Sequence, residues 1–273
     1  MSEHAAESAA LERPGEARPL LVEQQGAILI VTLNRPERRN AISRELAAAL
    51  LETFGSFEAD PGLAVAVLTG AGGCFCSGFD LKELATGQVP SPDDNGHGPL
   101  GPTRLLLQKP VIAAIEGYAV AGGLELALWC DLRVAAEDAV FGVYNRRWGI
   151  PLIDGGTVRL PRLIGQSQAL DLILTGRSVS GEEAWRMGLV NRLTPHGEAL
   201  PTALKLAQQL ARFPQQGLRS DRLSLYEQWS LPLPEALRLE ARYGARTLQT
   251  GEASSGARRF AEGHGRHGRF DDQ

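Results

Sequence analysis

Short unbroken apolar runs dominate the first half of the chain, and apolar residues at helical spacing dominate the second. Residues 27–33 are β-branched and of strand length, and Asn34-Arg35-Pro36-Glu37 turns the chain after them. Residues 64–70 and 111–115 repeat the pattern, as strands buried on both faces do. Between the first two runs, Ser43 is placed to cap a helix from Arg44 to about Ala59, with Leu46, Leu50 and Leu51 on one face and Phe54 below them. Residues 87–102, rich in Gly, Pro, Ser and Asp, read as a mobile surface loop. Residues 132–135 and 140–141 are short strands. From Asp154-Gly155-Gly156 onward the pattern turns helical, over 157–164, 167–174, 181–187, 200–213 and about 234–249, before a Gly/Arg/His-rich tail. Strand–helix alternation followed by helices predicts an α/β core with a C-terminal helical region. No sequence repeat is visible.

One acidic residue interrupts the densest apolar stretch. In Ala119-Val120-Ala121-Gly122-Gly123-Leu124-Glu125-Leu126-Ala127-Leu128-Trp129-Cys130-Asp131, residues 124–129 read as a helix buried almost all round, with Glu125 inside it. A buried carboxylate there is paired, protonated or used. The glycine pair removes side chains where the first helical N–H groups are unpaired and the helix dipole is positive. Such an end can hold a developing oxyanion. The competing reading is that Glu125 caps its own first turn from the third helical position.

Composition narrows the class. Hydrophobic residues at 43% and charged residues at 22% over 273 positions describe a globular protein with a substantial core. A net charge of -4 offers no general attraction to nucleic acid, so RNA or DNA binding is not expected. Cys74, Cys76 and Cys130 are an odd count without a disulfide framework, which suits a reducing cytosol. Cys74-Phe75-Cys76 is too closely spaced, and too far from His partners, for zinc, so buried structural thiols are expected and no metal site is. No stretch approaches the roughly 18 apolar residues of a membrane span. Residues 1–19 lack a secretory signal pattern and read as a disordered leader. These features predict a cytoplasmic protein.

Three segments together resemble the crotonase, or enoyl-CoA hydratase/isomerase, superfamily. The first is Asn34-Arg35-Pro36-Glu37-Arg38-Arg39-Asn40-Ala41 and the second Phe75-Cys76-Ser77-Gly78-Phe79-Asp80-Leu81-Lys82-Glu83-Leu84. The third runs from Lys109-Pro110-Val111-Ile112 through Glu116-Gly117-Tyr118 into Gly122-Gly123-Leu124-Glu125-Leu126-Ala127. Gly155-Gly156-Thr157, Thr175-Gly176-Arg177 and Gly188-Leu189-Val190 continue the pattern. The resemblance implies an α/β fold, a crotonase-type spiral of ββα turns with a C-terminal helical trimerisation region. A leader (1–19), a spiral core carrying the acyl-CoA site (20–195) and a helical region (196–273) are the implied divisions. A homotrimer or dimer of trimers is the implied assembly.

The resemblance also implies residue roles. The family's oxyanion hole polarises a thioester carbonyl, and its two backbone donors correspond to Phe79 N–H and Gly122 N–H. Glu125 matches the first catalytic glutamate of the hydratases. The second glutamate is missing: its position falls on Asn145, which can orient water or a carbonyl but cannot exchange protons as a carboxylate does. Asp154 is the nearest carboxylate in sequence and is also a good N-cap for the helix after it. Asp80, Leu81, Lys82 and Arg39 (or Arg38) are the implied substrate-binding residues, bordering coenzyme A. Arg258, Arg259, Arg266 and Arg269 could reach a neighbouring subunit's nucleotide, and Arg146-Arg147 could meet an anionic acyl group or form a surface ion pair. Coenzyme A arrives with the substrate, so no separate cofactor is implied. The leading expectation is an enoyl-CoA hydratase-like lyase working with one glutamate. The alternatives are an acyl-CoA hydrolase or decarboxylase on the same hole, and a non-catalytic acyl-CoA binder, some family members also binding RNA.

Overall fold

Strand-length apolar runs with both faces buried impose two cores, one on each side of a sheet. Strands β1 (Leu20–Gln25), β2 (Ile28–Leu33), β3 (Val65–Gly70), β4 (Val111–Ile115), β5 (Tyr118–Val120), β6 (Leu132–Ala136), β7 (Val140–Gly142), β8 (Val179–Ser180) and β9 (Arg192–Thr194) form two sheets. The larger is six-stranded in the order β1-β2-β3-β4-β6-β9, and the smaller is β5-β7-β8. All neighbours in the larger sheet are parallel except β1 and β2. Side chains alternate across it. Leu29, Val31, Leu33, Ala66, Leu68, Ala113 and Ile115 enter one core, while Ile28, Ile30, Val65, Val67, Ile112 and Ala114 enter the other. The computed structural model describes residues 18–87 and 96–265, so the leader (apart from residues 18 and 19), Arg266 and Arg269 lie outside the described residues.

The chain visits the two sheets in turn. β4 lies in the large sheet, β5 in the small one, and α3 (Gly122–Trp129) leads on to β6 and β7, which pair with β4 and β5 in parallel. The earlier passes are alike. After β2 the chain makes a parallel bridge at Ile42 with Phe79 before α1 (Arg44–Ala59), and after β3 one at Cys76 with Ala119 before α2 (Leu81–Ala85). The structure therefore repeats a ββα turn whose sequence shows no repeat.

Ser43 caps α1 as expected, its Oγ accepting from Leu46 N–H at 3.2 Å. The buried face of α1 is Leu46, Ala47, Leu50, Phe54 and Phe57, and Leu51 is only half-buried. After β7 come α4 (Gly156–Ile164), α5 (Gln166–Thr175), α6 (Gly181–Arg186) and α7 (Ala199–Arg212). The expected boundary at 195/196 separates α7 from a sheet on which it packs: Ala199, Ala203 and Ala207 share a core with Val65, Ile112 and Val134. Small side chains let the helix lie close to the strands, so α7 belongs to the core layer. Beyond it are α8 (Gln215–Glu227), α9 (Leu233–Gln249) and α10 (Glu252–Ala261). The polar composition of α8 hid it from the periodicity, and α10 is helical where a tail was expected. Asp131 ties α8 down, accepting from Arg222 Nε at 2.8 Å and Tyr226 OH at 2.7 Å.

Two further expectations meet the structure here. Within 87–102, residues 88–95 are not described, but residues 98–103 form no surface loop: Leu100, Pro102 and Thr103 are buried. The three cysteines are free and buried, as expected. Burial raises all three thiol pKa values, that of Cys76 to about 12. Among the described residues no helix is long and apolar enough to cross a membrane.

Candidate active site

Two successive turns of the spiral meet at their helix starts. α3 begins at Gly122 behind Ala121, whose backbone (φ 53°, ψ −127°) occupies a region that non-glycine residues rarely adopt. Ala121 N–H donates to Gly142 O, and Leu124 and Glu125 N–H return to Ala121 O, which passes over Gly122 N–H. In the preceding turn, Ile42 N–H donates to Gly78 O and Asp80 N–H to Ile42 O, which passes over Phe79 N–H. Among the described residues neither nitrogen has a protein acceptor. The approach of the turns depends on absent side chains. A Cβ on Gly123 would lie 2.1 Å from Cys76 O, and one on Gly78, at φ 100°, would lie 2.8 Å from Gly122 N. A Cβ on Gly122 would sit 3.4 Å from Phe79 N, so the two free donors are neighbours.

Buried polar residues hold these starts in place. Asn40 Nδ2 donates to Cys74 O (2.6 Å) and Ala71 O (2.9 Å), fixing the chain that leads to Phe79. Arg35 Nη2 pairs with Asp80 Oδ2 at 2.9 Å, and Asp80 Oδ1 caps α2 by accepting from Lys82 N–H. At the other end of α3, the buried Arg133 donates to Cys130 O (2.7 Å), Ala127 O (3.2 Å) and Leu189 O (2.7 Å). A cation on the last carbonyls of a helix satisfies groups that would otherwise be orphaned.

Phe79 and Gly122 both line a cavity of about 610 Å³, which is also lined by Glu125, Asn145, Asp154, Leu81, Arg39 and Trp148. Glu125 is 2% exposed and does not cap its own helix. Its Oε1 accepts from Asp154 N–H and Gly156 N–H, both at 2.9 Å, across from the start of α4. Oε2 has no protein partner among the described residues. Burial raises the Glu125 pKa to about 7, against the lowering effect of the Gly156 N–H bond; nearby Asp154 raises it further. That value suits a group that both takes and gives a proton near neutrality.

Asn145 lies at the beginning of a short 3-10 turn (Tyr144–Trp148), 5% exposed. Its Nδ2 donates to Pro151 O at 3.4 Å, and its buried Oδ1 has no partner among the described residues. An unpaired buried acceptor is costly in the free protein and is available to a donor entering the cavity. Asp154 is not the N-cap that its position suggested; Gly155 holds that place without a side-chain bond. Asp154 Oδ1 instead accepts from Leu100 N–H at 3.0 Å and from Thr103 OH, tying the chain after residue 95 to the head of α4.

The remaining expected binding residues divide. Leu81 and Arg39 line the cavity, and Arg39 rests 5.4 Å over the Tyr118 ring. Asp80 does not line it, because its carboxylate is spent on Arg35 and on α2. Arg35 and the backbone bond hold the Asp80 pKa below the usual carboxylate range, although burial acts the other way. Lys82 is exposed and outside the lining. Arg146 and Arg147 neither line the cavity nor form ion pairs among the described residues: they donate to Ile173 O and Gly176 O, and Arg147 stacks 3.7 Å over Tyr144. Arg258 and Arg259 are exposed on α10. Thr103 and Arg159, which support the site from behind, carry no sequence signal. Away from the cavity, Glu116, Asp138 and His196 bring possible ligand atoms within 4.8 Å of one another. Asp138 and His196 of that cluster are exposed, while Glu116 is half-buried and already accepts from Ala199 N–H.

Residues 23–273 match the family model for enoyl-CoA hydratase/isomerase. An enoyl-CoA hydratase of Mycobacterium tuberculosis is 39% identical over 249 residues, covering 89% of this chain and 93% of the relative. A carnitinyl-CoA dehydratase of Salmonella enteritidis is 44% identical over 193 residues, 70% of this chain and 74% of that one. Among solved structures, an enoyl-CoA hydratase from Mycobacterium marinum superposes with a TM-score of 0.85 at 39% identity, covering 89% of this chain and 96% of its own. Motifs, paired helix starts and near-full-length similarity agree: the chain belongs to the enoyl-CoA hydratase/isomerase family of enzymes, the crotonase superfamily.

Proposed function

We propose that this enzyme adds water to the conjugated double bond of an enoyl-CoA thioester, and removes it in reverse. The observation that carries the reading is that Phe79, Gly122 and Glu125 line one cavity, with the Phe79 and Gly122 nitrogens close together and free of protein acceptors among the described residues. The thioester oxygen accepts from the two free N–H groups, which draws electron density from the β-carbon. Each such preorganised donor is worth about 3 kcal/mol of barrier. Water attacks the β-carbon, the Glu125 carboxylate takes one of its protons, and that proton passes to the α-carbon; the other hydrogen stays on the new hydroxyl. Asn145 Oδ1, unpaired in the free protein, accepts from the water and orients it. The names of the relatives, a hydratase and a dehydratase, support both directions of this step.

In this reading Arg39 and Leu81 border the coenzyme A arm at the mouth, with Lys82 beside them in solvent, and the chemistry asks for no further cofactor. The assembly is a homotrimer or a dimer of trimers. Exposed apolar side chains on the last helices, Leu225, Leu233, Leu237, Leu248 and Phe260, support it, and light scattering measures it. To test the activity, the protein is incubated with crotonyl-CoA, an aromatic enoyl-CoA and a saturated acyl-CoA, with mass detection. Gain of water by an enoyl-CoA is expected. Release of free coenzyme A overturns hydration in favour of hydrolysis, and no change in any arm leaves an acyl-CoA binder.

A further inference from the structure

We infer that Arg159 is a positioning residue for Glu125: its guanidinium clamps the turn whose N–H groups hold the carboxylate. The inference rests on the reading in which Glu125 moves the proton. Nη1 of Arg159 donates to Asp154 O at 2.8 Å, and Nη2 to Thr103 O at 2.5 Å. One planar fork thus joins the turn at 154–156 to the short 3-10 turn (Pro102–Arg104). The same two turns are cross-linked a second time, Thr103 OH and Leu100 N–H donating to Asp154 Oδ1. Asp154 N–H and Gly156 N–H, the pair that holds Glu125 Oε1, issue from the clamped segment.

The backbone is shaped for this cation. A Cβ on Gly155, at φ 98°, would lie 2.1 Å from Arg159 Nη1, so the guanidinium occupies the space a side chain would take. Both of these Arg159 bonds go to neutral carbonyls, and among the described residues no carboxylate pairs with it within 4.0 Å, so its positive field acts on Glu125 and Asp154 without local cancellation. The other charged or titratable groups facing this centre are Arg104 toward Asp154, and Tyr226 of α8 and Cys130 at the end of α3 toward Arg159. A lysine presents one point charge and cannot span both carbonyls.

Loss of Arg159 therefore does two things of one sign. It removes a positive charge near Glu125 and loosens two N–H bonds to its carboxylate, and both raise the pKa of Glu125. The test compares Glu with Gln at position 125, by thermal unfolding from pH 5 to 9, in wild-type and Arg159→Met backgrounds. The midpoint of the pH-dependent difference is expected to move upward by about one pH unit when Arg159 is absent. Arg159→Lys keeps the charge but not the two-carbonyl fork, so its midpoint should rise by less than that of Arg159→Met. With crotonyl-CoA, kcat/KM for hydration should fall ~10-fold or more in both variants, since misplacement of a catalytic group is costly. An unmoved midpoint in Arg159→Met overturns the inference and leaves Arg159 a packing residue. If Arg159→Met does not fold, Arg159→Gln, which drops the charge but keeps a donor, carries the same expectation. If Glu125→Gln leaves turnover intact, it is the proton-transfer reading that fails, and the unfolding series still decides whether Arg159 governs Glu125 ionisation.

Discussion

Replacing Glu125 by Gln separates chemistry from architecture. The carboxylate accepts from Asp154 and Gly156 through one oxygen, and a glutamine carbonyl can take both bonds in the same place. The scaffold is therefore expected to survive while proton transfer is lost. A loss of ~100-fold in turnover, about 2.7 kcal/mol of barrier, is the scale for removing a general acid–base group. Stability should move the other way. In the folded protein the carboxyl is raised from an ordinary 4.5 to about 7, so ionising it there costs about 3 kcal/mol more than in the unfolded chain. Below pH 4.5 both states are protonated and no penalty exists. Between 4.5 and about 7 the folded state holds more protons than the unfolded one, so wild-type stability falls as pH rises, and above that window the full penalty remains. Gln carries no such penalty. At pH 8 the variant should melt above wild type by roughly 5–10 °C, and at pH 4 the two should nearly coincide. Steady-state hydration of crotonyl-CoA and scanning calorimetry at the two pH values measure both halves. Turnover within a few-fold of wild type refutes the catalytic assignment, and a variant that melts well below wild type at pH 8 refutes the account of burial.

Neighbouring residues give three further outcomes. Asn145→Glu should raise hydration of crotonyl-CoA with its optimum displaced to higher pH, because a second proton carrier is gained beside Glu125 and Asp154 and the carboxylates repel; Arg146 and Arg147 are engaged with carbonyls and do not neutralise it, and a rate below wild type at every pH across the profile excludes the idea. Asp80→Ala should cost about 3 kcal/mol by urea unfolding, since it strands the largely buried Arg35 and uncaps α2, and a loss under about 1 kcal/mol, the scale of an exposed pair, would show that the pair is dispensable. Cys74, Cys76 and Cys130 should resist a thiol reagent at pH 8 in the native protein and all react once it is unfolded; rapid native labelling of any one contradicts its burial.

What was legible in the sequence was whatever periodicity and local chemistry encode. β2, β3, β4, α1 and α3 were readable because their apolar residues repeat at the strand or helix period or run unbroken. β1 was not: Leu21 and Val22 face solvent on an edge strand, so burial leaves no signature there. α8 and α10 are polar helices held by neighbours, Asp131 with Tyr226 in one case and Glu252 with the N–H groups of Gln216 and Gly217 in the other. At the site, Glu125 was conspicuous because a charge in an apolar helix is expensive. In the proposed reading Phe79 and Gly122 act through backbone nitrogens, which no side-chain pattern encodes, so only the family motif indicated Phe79, while Gly122 also stood out in the glycine pair at a helix start. Asp154 looked like a cap because local sequence cannot register Leu100 and Thr103, more than 50 positions away, which claim its carboxylate. Asp80 looked like a ligand contact for the same reason, its partner Arg35 being 45 positions distant.

The repeat of the fold explains why a pair of free N–H groups exists at all. In each turn a short extended segment leaves the second sheet and enters a helix, where the first N–H groups lack intrahelical acceptors. Gly122 opens α3 and carries such an orphan, whereas Phe79 N–H, two residues before α2, is left free because the Ile42 bridge takes the bonds on either side of it; the two donors lie at neighbouring levels. Parallel bridging between the turns, Ile42 with Phe79 and Cys76 with Ala119, stacks those levels side by side. A single helix start would offer one direction of approach, whereas in the proposed reading two neighbouring donors meet one thioester oxygen. The unusual backbone of Ala121 and the missing side chains of Gly78 and Gly123 are the local concessions that let the turns close to that distance. Glu125 then needs only to sit one helical turn past Gly122, where its carboxyl shares the cavity with both donors and reaches across to the head of α4. In the proposed reading this geometry is set by backbone atoms of stacked turns, so a bulky Phe79 side chain leaves the pair of donors in place.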